Sequence, residues 1–161
     1  MEETFAKYIN VKGELLDLSQ PQVMGILNVT PDSFYANSRK QTEKDIIGRI
    51  HQILDEGGTF IDMGAYSSRP DAADVSPEEE MQRLRQGLEI IQRECPEALV
   101  SIDTFRADVA KMCVEEYGAA LINDISAGDL DAEMFPTLAR LKVPYILMHM
   151  QGNPQTMQHA P

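Results

Sequence analysis

Runs of apolar residues in this chain repeatedly stop at a side chain able to do chemistry. Asn28 follows Met24-Gly25-Ile26-Leu27, Asp103 follows Leu99-Val100-Ser101-Ile102, and Asn123 follows Ala120-Leu121-Ile122. His149 follows Pro144-Tyr145-Ile146-Leu147-Met148, and Asp62 sits inside a run at 60–65 that leads into Ser68-Arg69-Pro70. The Asn28 amide oxygen either caps the turn after it or ligates a hard cation such as Mg2+, which takes oxygen ligands and keeps several waters. Arg69 is a surface arginine, or a guanidinium fork on a proline-stiffened loop, suited to phosphate or carboxylate. Asp103 offers only acceptors and Asn123 offers both a donor and an acceptor. Converging in one pocket, the two are able to read the edge of an amino-pyrimidinone ring of the guanine or pterin kind; the alternative is that each caps the element after it. Asp62, placed among apolar residues, must have partners, because an unpaired buried carboxylate is costly. His149 is a site group or a satisfied strand-end histidine, and Met148 is pocket wall or core.

The elements that must position these groups alternate along the chain. Residues 7–18 read as a small hairpin turning at Lys12-Gly13, a lid on one end of the strands after it. Strands are then expected at 24–27, 60–65, 99–102, 120–122 and 144–148, each an unalternated apolar run of the kind buried on both faces of a parallel sheet. Helices fill the gaps. One begins at the capping-box pattern Thr42-Glu43-Lys44-Asp45, carries Ile46, Ile47, Ile50, Ile53 and Leu54 on one face and stops at Gly57-Gly58. The next starts at Ser76-Pro77-Glu78-Glu79 and presents Met81, Leu84, Leu88 and Ile91. The third presents Val109, Ala110, Cys113, Val114 and Tyr117 and stops at Gly118, and the fourth spans 132–141, where Pro136 fits only near a helix start.

An α/β order of this kind admits a doubly wound sheet or part of a (β/α)8 barrel. A doubly wound sheet concentrates chemistry at one switch point, whereas a barrel draws on many strand ends. The dispersed polar strand ends favour the barrel. A closed barrel needs about 200 residues or more, so a chain of 161 residues with five such strands is read as a partial (β/α)8 TIM barrel, with residues 1–20 as the hairpin and 21–161 as strands one to five.

Composition narrows the function further. The net charge of −12 argues against a nucleic-acid partner. An anionic small substrate stays admissible wherever an arginine or a metal supplies local positive charge. No run of about 18 apolar residues exists, so no membrane span is expected. The acidic start of the chain and the isolated Cys95 and Cys113 place it in the cytoplasm, with both thiols free. Dinucleotide, P-loop, zincin and serine-hydrolase templates are all missing.

The segments GILNVTPDSF, Ser68-Arg69-Pro70, SIDTFRADVA, INDISAG and MHMQGNPQTMQ, in this order and spacing, resemble the dihydropteroate synthase family over most of residues 22–158. The resemblance implies a (β/α)8 barrel and a transferase of folate biosynthesis. Its reaction joins 6-hydroxymethyl-7,8-dihydropterin diphosphate to 4-aminobenzoate, giving 7,8-dihydropteroate and diphosphate. It implies that Asn28 touches Mg2+ and the diphosphate, and that Arg69 binds the diphosphate or the aminobenzoate loop region. Phe34, Ser68 and Pro70 would shape the aminobenzoate site. Asp103 and Asn123 would hold the pterin, with Ile125 and Met148 beside its ring. The full-length family protein is expected to be a homodimer.

Two loops depart from the family pattern: Tyr35-Ala36-Asn37-Ser38 stands where Ser-Asp-Gly-Gly is common, and Ala65-Tyr66-Ser67-Ser68 where Gly-Glu-Ser-Thr is common. The family's later pterin aspartate, lysine and Arg-x-His find no counterpart, so the chain alone is expected to be inactive or nearly so. A pterin-binding methyltransferase and a non-catalytic pterin-binding module are the alternatives. The methyltransferase keeps the pterin pocket but has no use for the 28–34 and Ser68-Arg69-Pro70 segments, and the module would bind without turnover.

Overall fold

Two residues reverse the chain at its start. Lys12 and Gly13 both take positive φ, 53° and 90°, the pairing that a tight two-residue hairpin turn requires. They join β1 (Tyr8–Val11) to β2 (Glu14–Asp17) in antiparallel register, with Val11 opposite Glu14. The computed structural model describes residues 7–29, 39–66 and 75–149.

Five further strands follow: β3 (Met24–Asn28), β4 (Phe60–Gly64), β5 (Leu99–Asp103), β6 (Leu121–Asp124) and β7 (Tyr145–Leu147). They form one parallel sheet in the order β3-β4-β5-β6-β7, each strand beside its predecessor. That order has no switch point, so it rejects the doubly wound alternative and matches the progression of a barrel wall. The connecting helices are α1 (Arg39–Asp55), α2 (Pro77–Glu94), α3 (Ala107–Tyr117) and α4 (Met134–Leu141), which pack consecutively as one outer layer.

Local chemistry explains most helix boundaries. The Ser76 hydroxyl accepts the Glu79 N–H at 3.2 Å, Pro77 occupies the first helical position, and Glu78, Glu79 and Glu80 place negative charge at the positive end of the α2 dipole. Pro136 falls at the third position of α4, where its missing N–H costs no intrahelical bond. α1 and α3 stop at Gly57 and Gly118 as expected. The start of α1 differs: the helix begins at Arg39, ahead of the Thr42 pattern. Arg39, Lys40 and Gln41 are good helix formers, and propensity carries the helix back past the cap-like threonine.

The main core lies between the sheet and the helix layer. Leu27, Ile61, Met63, Val100, Ile102 and Ile122 face Ile50, Leu84, Leu88, Val109, Cys113 and Met134. A second cluster joins the hairpin to the strand starts, with Val11 against Phe60, Ala120 and Leu121, and Ile9, Leu16, Met24 and Leu99 packed around them. The hairpin therefore lids the amino ends of the strands. β4 is buried at every position, as an inner parallel strand should be. The two outer strands depart from that expectation. Ile26 on β3 is 59% exposed and Leu147 on β7 is 58% exposed, because each strand has a neighbour on one side only among the described residues. No helix among the described residues is long and apolar enough to cross a membrane.

Candidate functional site

Parallel register sets Asn28, Gly64, Asp103 and Asn123 level with one another across β3, β4, β5 and β6. Paired residues share a face, so these groups converge on the face opposite the helices, at the carboxyl ends. Gly64 keeps the centre of the row clear. A Cβ there would lie 3.3 Å from Asp103 Oδ2 and 3.7 Å from Asn28 Oδ1, so these two oxygens border the space that a side chain would fill. One pleat deeper lie Asp62 and Ser101, 7% and 0% exposed. Ser101 Oγ donates to Asp62 Oδ1 at 2.6 Å, and Asn123 Nδ2 donates to Asp62 Oδ2 at 3.1 Å. The partners that Asp62 required are thus one hydroxyl and one amide.

The capping alternatives for Asp103 and Asn123 do not hold, because other residues take those roles. Asp131 Oδ2, from the segment after β6, accepts the Ala107 N–H at 2.7 Å at the start of α3. Thr104 Oγ1 accepts the Arg106 N–H at 3.2 Å. After β6, the buried Asp124 organises the turn by accepting the N–H groups of Ser126 and Gly128 at 2.7 and 3.0 Å. Asp124 also accepts the Ser126 hydroxyl at 2.8 Å and the Tyr145 hydroxyl at 2.7 Å, and this environment holds the tyrosine well above its ordinary range, through burial first and then the carboxylate.

Asp103 is left with its carboxylate toward the pocket. Burial first, and then the neighbouring Asp62, Glu80 and Asp124, push its carboxyl up to about 7. Ile125 is half-buried just past Asn123, and Met148 is 46% exposed, tied back through its N–H to the Asp124 carbonyl at 3.1 Å. Both extend the rim of the same end of the sheet. His149 is exposed beyond it. Phe34, Ser68, Arg69 and Pro70 lie outside the described residues.

The sequence reading missed a cluster behind β4 and β5. Glu80 of α2, 1% exposed, accepts the Thr104 hydroxyl at 2.7 Å and pairs with the Arg106 guanidinium. Arg106 Nη2 donates to the Val75 carbonyl at 2.8 Å, and its guanidinium lies 4.8 Å over the Phe105 ring and 5.8 Å over Tyr66. Arg83, paired with Glu79, donates to the Ala65 carbonyl at 3.0 Å. The cluster's one signal in the sequence is the Thr-x-Arg immediately after Asp103.

A metal would find few protein ligands here. No group of three His, Cys, Asp or Glu side chains able to hold one occurs among the described residues. The Asn28 and Asp103 oxygens beside the Gly64 gap are hard donors. This sparse set fits Mg2+, which keeps waters and completes its shell with substrate phosphates.

Known proteins share both the sequence and the shape. The chain is 46% identical over 162 residues to the mitochondrial folate synthesis bifunctional protein of Pisum sativum, covering 99% of this chain and 31% of that protein. It is 44% identical over 154 residues to the dihydropteroate synthase of Escherichia coli strain K12, covering 93% of this chain and 52% of that one. The solved Xanthomonas albilineans dihydropteroate synthase with 4-aminobenzoic acid superposes with a TM-score of 0.76 at 34% identity, over 92% of this chain and 53% of that chain. The chain thus spans between about a third and about half of these relatives. The pterin binding enzyme family model matches residues 24–161, from the first strand of the parallel sheet onward, and with the Asp103–Asn123 pocket at the strand ends this makes the chain a member of that family.

Proposed function

We propose that this chain is the pterin-holding portion of a dihydropteroate synthase, and that it binds pterin while turning over little by itself. The observation that carries the reading is the Asp103–Asn123 pair, relieved of capping and converging beside the Gly64 gap. In the reaction the C–O bond between the pterin methylene and the diphosphate breaks, and its electron pair leaves with the diphosphate. The lone pair of the 4-aminobenzoate amine then forms the C–N bond, and the ammonium proton is lost to solvent. The free arylamine lone pair makes a strong general base unnecessary.

The contribution of this chain is positioning and charge. Asp103 accepts N–H groups of the pterin edge, Asn123 adds an acceptor, and Ile125 and Met148 flank the ring. Asn28 would hold Mg2+ through its amide oxygen, and the ion supplies charge neutralisation for the diphosphate. Arg69 is assigned to the same diphosphate, and Phe34, Ser68 and Pro70 to the aminobenzoate, on the strength of the family motifs. A cytoplasmic setting is supported by two buried free thiols, Cys95 and Cys113.

Calorimetry with 6-hydroxymethyl-7,8-dihydropterin diphosphate and Mg2+ tests the reading. Saturable binding that weakens about tenfold or more in Asn123→Ala is expected. Absence of binding by the unmodified chain would sink it. Binding indifferent to the diphosphate and to Mg2+ would move the assignment to a pterin-binding methyltransferase.

A further inference from the structure

Asp62 is nearly as buried as the apolar residues beside it, yet it touches no reacting group in the proposed chemistry. Its two oxygens are both engaged, one by the Ser101 hydroxyl at 2.6 Å and the other by the Asn123 amide at 3.1 Å. Those bonds have a directional consequence. A carboxylate accepts and cannot donate, so the Asn123 atom facing it must be nitrogen. An amide carries its oxygen and nitrogen on one planar carbon, so fixing Nδ2 against Asp62 turns Oδ1 the other way. No described residue donates to Oδ1, and no buried polar side-chain atom among the described residues lacks a partner. Among the described residues Oδ1 therefore has no donor, and it faces away from Asp62.

We infer that Asp62, held by Ser101, is a positioning residue that locks the Asn123 amide with its oxygen outward and so sets the site's preference for a ring edge bearing an exocyclic amino group. The inference rests on the pterin reading above and adds a specificity determinant to it. Three links carry it. Ser101 is fully buried and its hydroxyl hydrogen has Asp62 as its acceptor, so the carboxylate cannot swing away without stranding a buried donor. Asp62 lies one pleat below the row that holds Gly64 and Asp103, so it acts from beneath and leaves the ligand space clear. The Asp103 carboxylate beside Asn123 is also an acceptor. Two outward acceptors make an edge that rewards ligand N–H groups and penalises a carbonyl at the same place.

The chemistry predicts what exchange of the two side chains does. In Asp62→Asn, the Ser101 hydroxyl still needs an acceptor, so the new amide turns its oxygen to Ser101 and its nitrogen to Asn123. Asn123 must then flip and present its nitrogen to the pocket. In the swap D62N/N123D, residue 123 is an acceptor on both oxygens, the amide at 62 donates to one of them, and the other faces the pocket. Net charge and atom count match the starting chain.

The test is fluorescence titration of the 161-residue chain with two probes, 6-hydroxymethylpterin and 6-hydroxymethyllumazine. The second carries a carbonyl where the first has its amino group. The unmodified chain should prefer the pterin by about tenfold or more, the contribution of one well-made hydrogen bond against one repulsive pair. D62N should bring the ratio to within about threefold, and D62N/N123D should restore it. A D62N chain that melts cooperatively and keeps the original ratio overturns the inference while leaving the pterin reading intact. A swapped chain that folds and does not regain the preference also overturns it, including where D62N by itself fails to fold. If the unmodified chain binds neither probe, the inference falls together with the reading beneath it.

Discussion

Asp103 carries a testable cost. Its carboxyl is raised from an ordinary 3.8 to about 7, by burial first and then by Asp62, Glu80 and Asp124. The folded chain therefore binds this proton more tightly than the unfolded chain does. Between about pH 4 and about pH 7 the folded form holds the extra proton, so stability falls as pH rises through that window and stays reduced above it. Asp103→Asn should match the unmodified chain only below about pH 4, and exceed it by a margin that grows up to about pH 7 and persists at about pH 8 in urea midpoint. Equal midpoints at the higher pH would show that the carboxyl titrates normally. Gly64→Ala makes a complementary prediction. Its methyl would stand 3.3 Å from Asp103 Oδ2, a contact tight enough to cost about 1 kcal/mol of stability, while pterin affinity should drop about tenfold because the gap itself is filled. A larger thermal loss with unchanged affinity would place the gap outside the binding site. The sequence showed that Asp103 and Asn123 end neighbouring strands, and it left pocket and cap equally open. What separates the two is that Asp131 and Asp124 do the capping, and no local spacing encodes that Asp131 reaches back to Ala107.

The same contrast of local and distant information governs the elements. Ser76, Pro77 and Glu79 announce the start of α2, and the spacing of Leu84, Leu88 and Ile91 announces its buried face, because both signals are carried within a few turns of one helix. Nothing in the local sequence marks Glu80 and Arg83 for burial, yet both are buried, since their partners Thr104, Arg106 and the Ala65 carbonyl come from other strands and loops. Burial decides what such pairs contribute. Glu80→Gln leaves the Arg106 guanidinium facing a neutral group in a site where Glu80 is 1% exposed, and should cost about 3 kcal/mol. Arg85 and Glu116 make a bidentate contact between α2 and α3, but their side chains are 39% and 49% exposed. Arg85→Ala should cost less than about 1 kcal/mol. Chemical denaturation of the two variants side by side checks the ordering, and an Arg85 effect as large as the Glu80 effect would contradict it. Arg106, the partner of Glu80, also holds the Val75 carbonyl just after the segment that carries Arg69, so Glu80→Gln is expected to weaken diphosphate-dependent binding more than Arg85→Ala does.

At the scale of the whole molecule, the barrel character was legible because each strand ends in a polar group and each gap holds one helix. The exposure of the outer strands was not legible from their sequences, since Met24-Gly25-Ile26-Leu27 reads as apolar as the inner strands do. Exposure depends on who stands beside a strand. Among the described residues nothing pairs with the far side of β3 or β7, and Ile26, Ile146 and Leu147 are 59%, 38% and 58% exposed. Arg49 Nε donates to the Ile26 carbonyl at 3.2 Å and covers one of the free edge groups of β3. An uncovered strand edge with apolar side chains is a template for another chain. The net charge of −12 opposes that contact by mutual repulsion, and salt screens repulsion between exposed charges without weakening apolar burial. Isolated residues 1–161 should therefore associate with rising concentration, more strongly at about 0.5 M than at about 0.01 M NaCl. Ile26→Lys, which adds a charge to the open edge of β3, should shift the population toward the 18.0 kDa monomer. Sedimentation velocity across a wide concentration range reads both effects. A single monomeric species at every concentration and salt would mean that these edges are protected by something other than charge. Association that weakens with salt would instead make the contact electrostatic and remove the strand edges from the explanation.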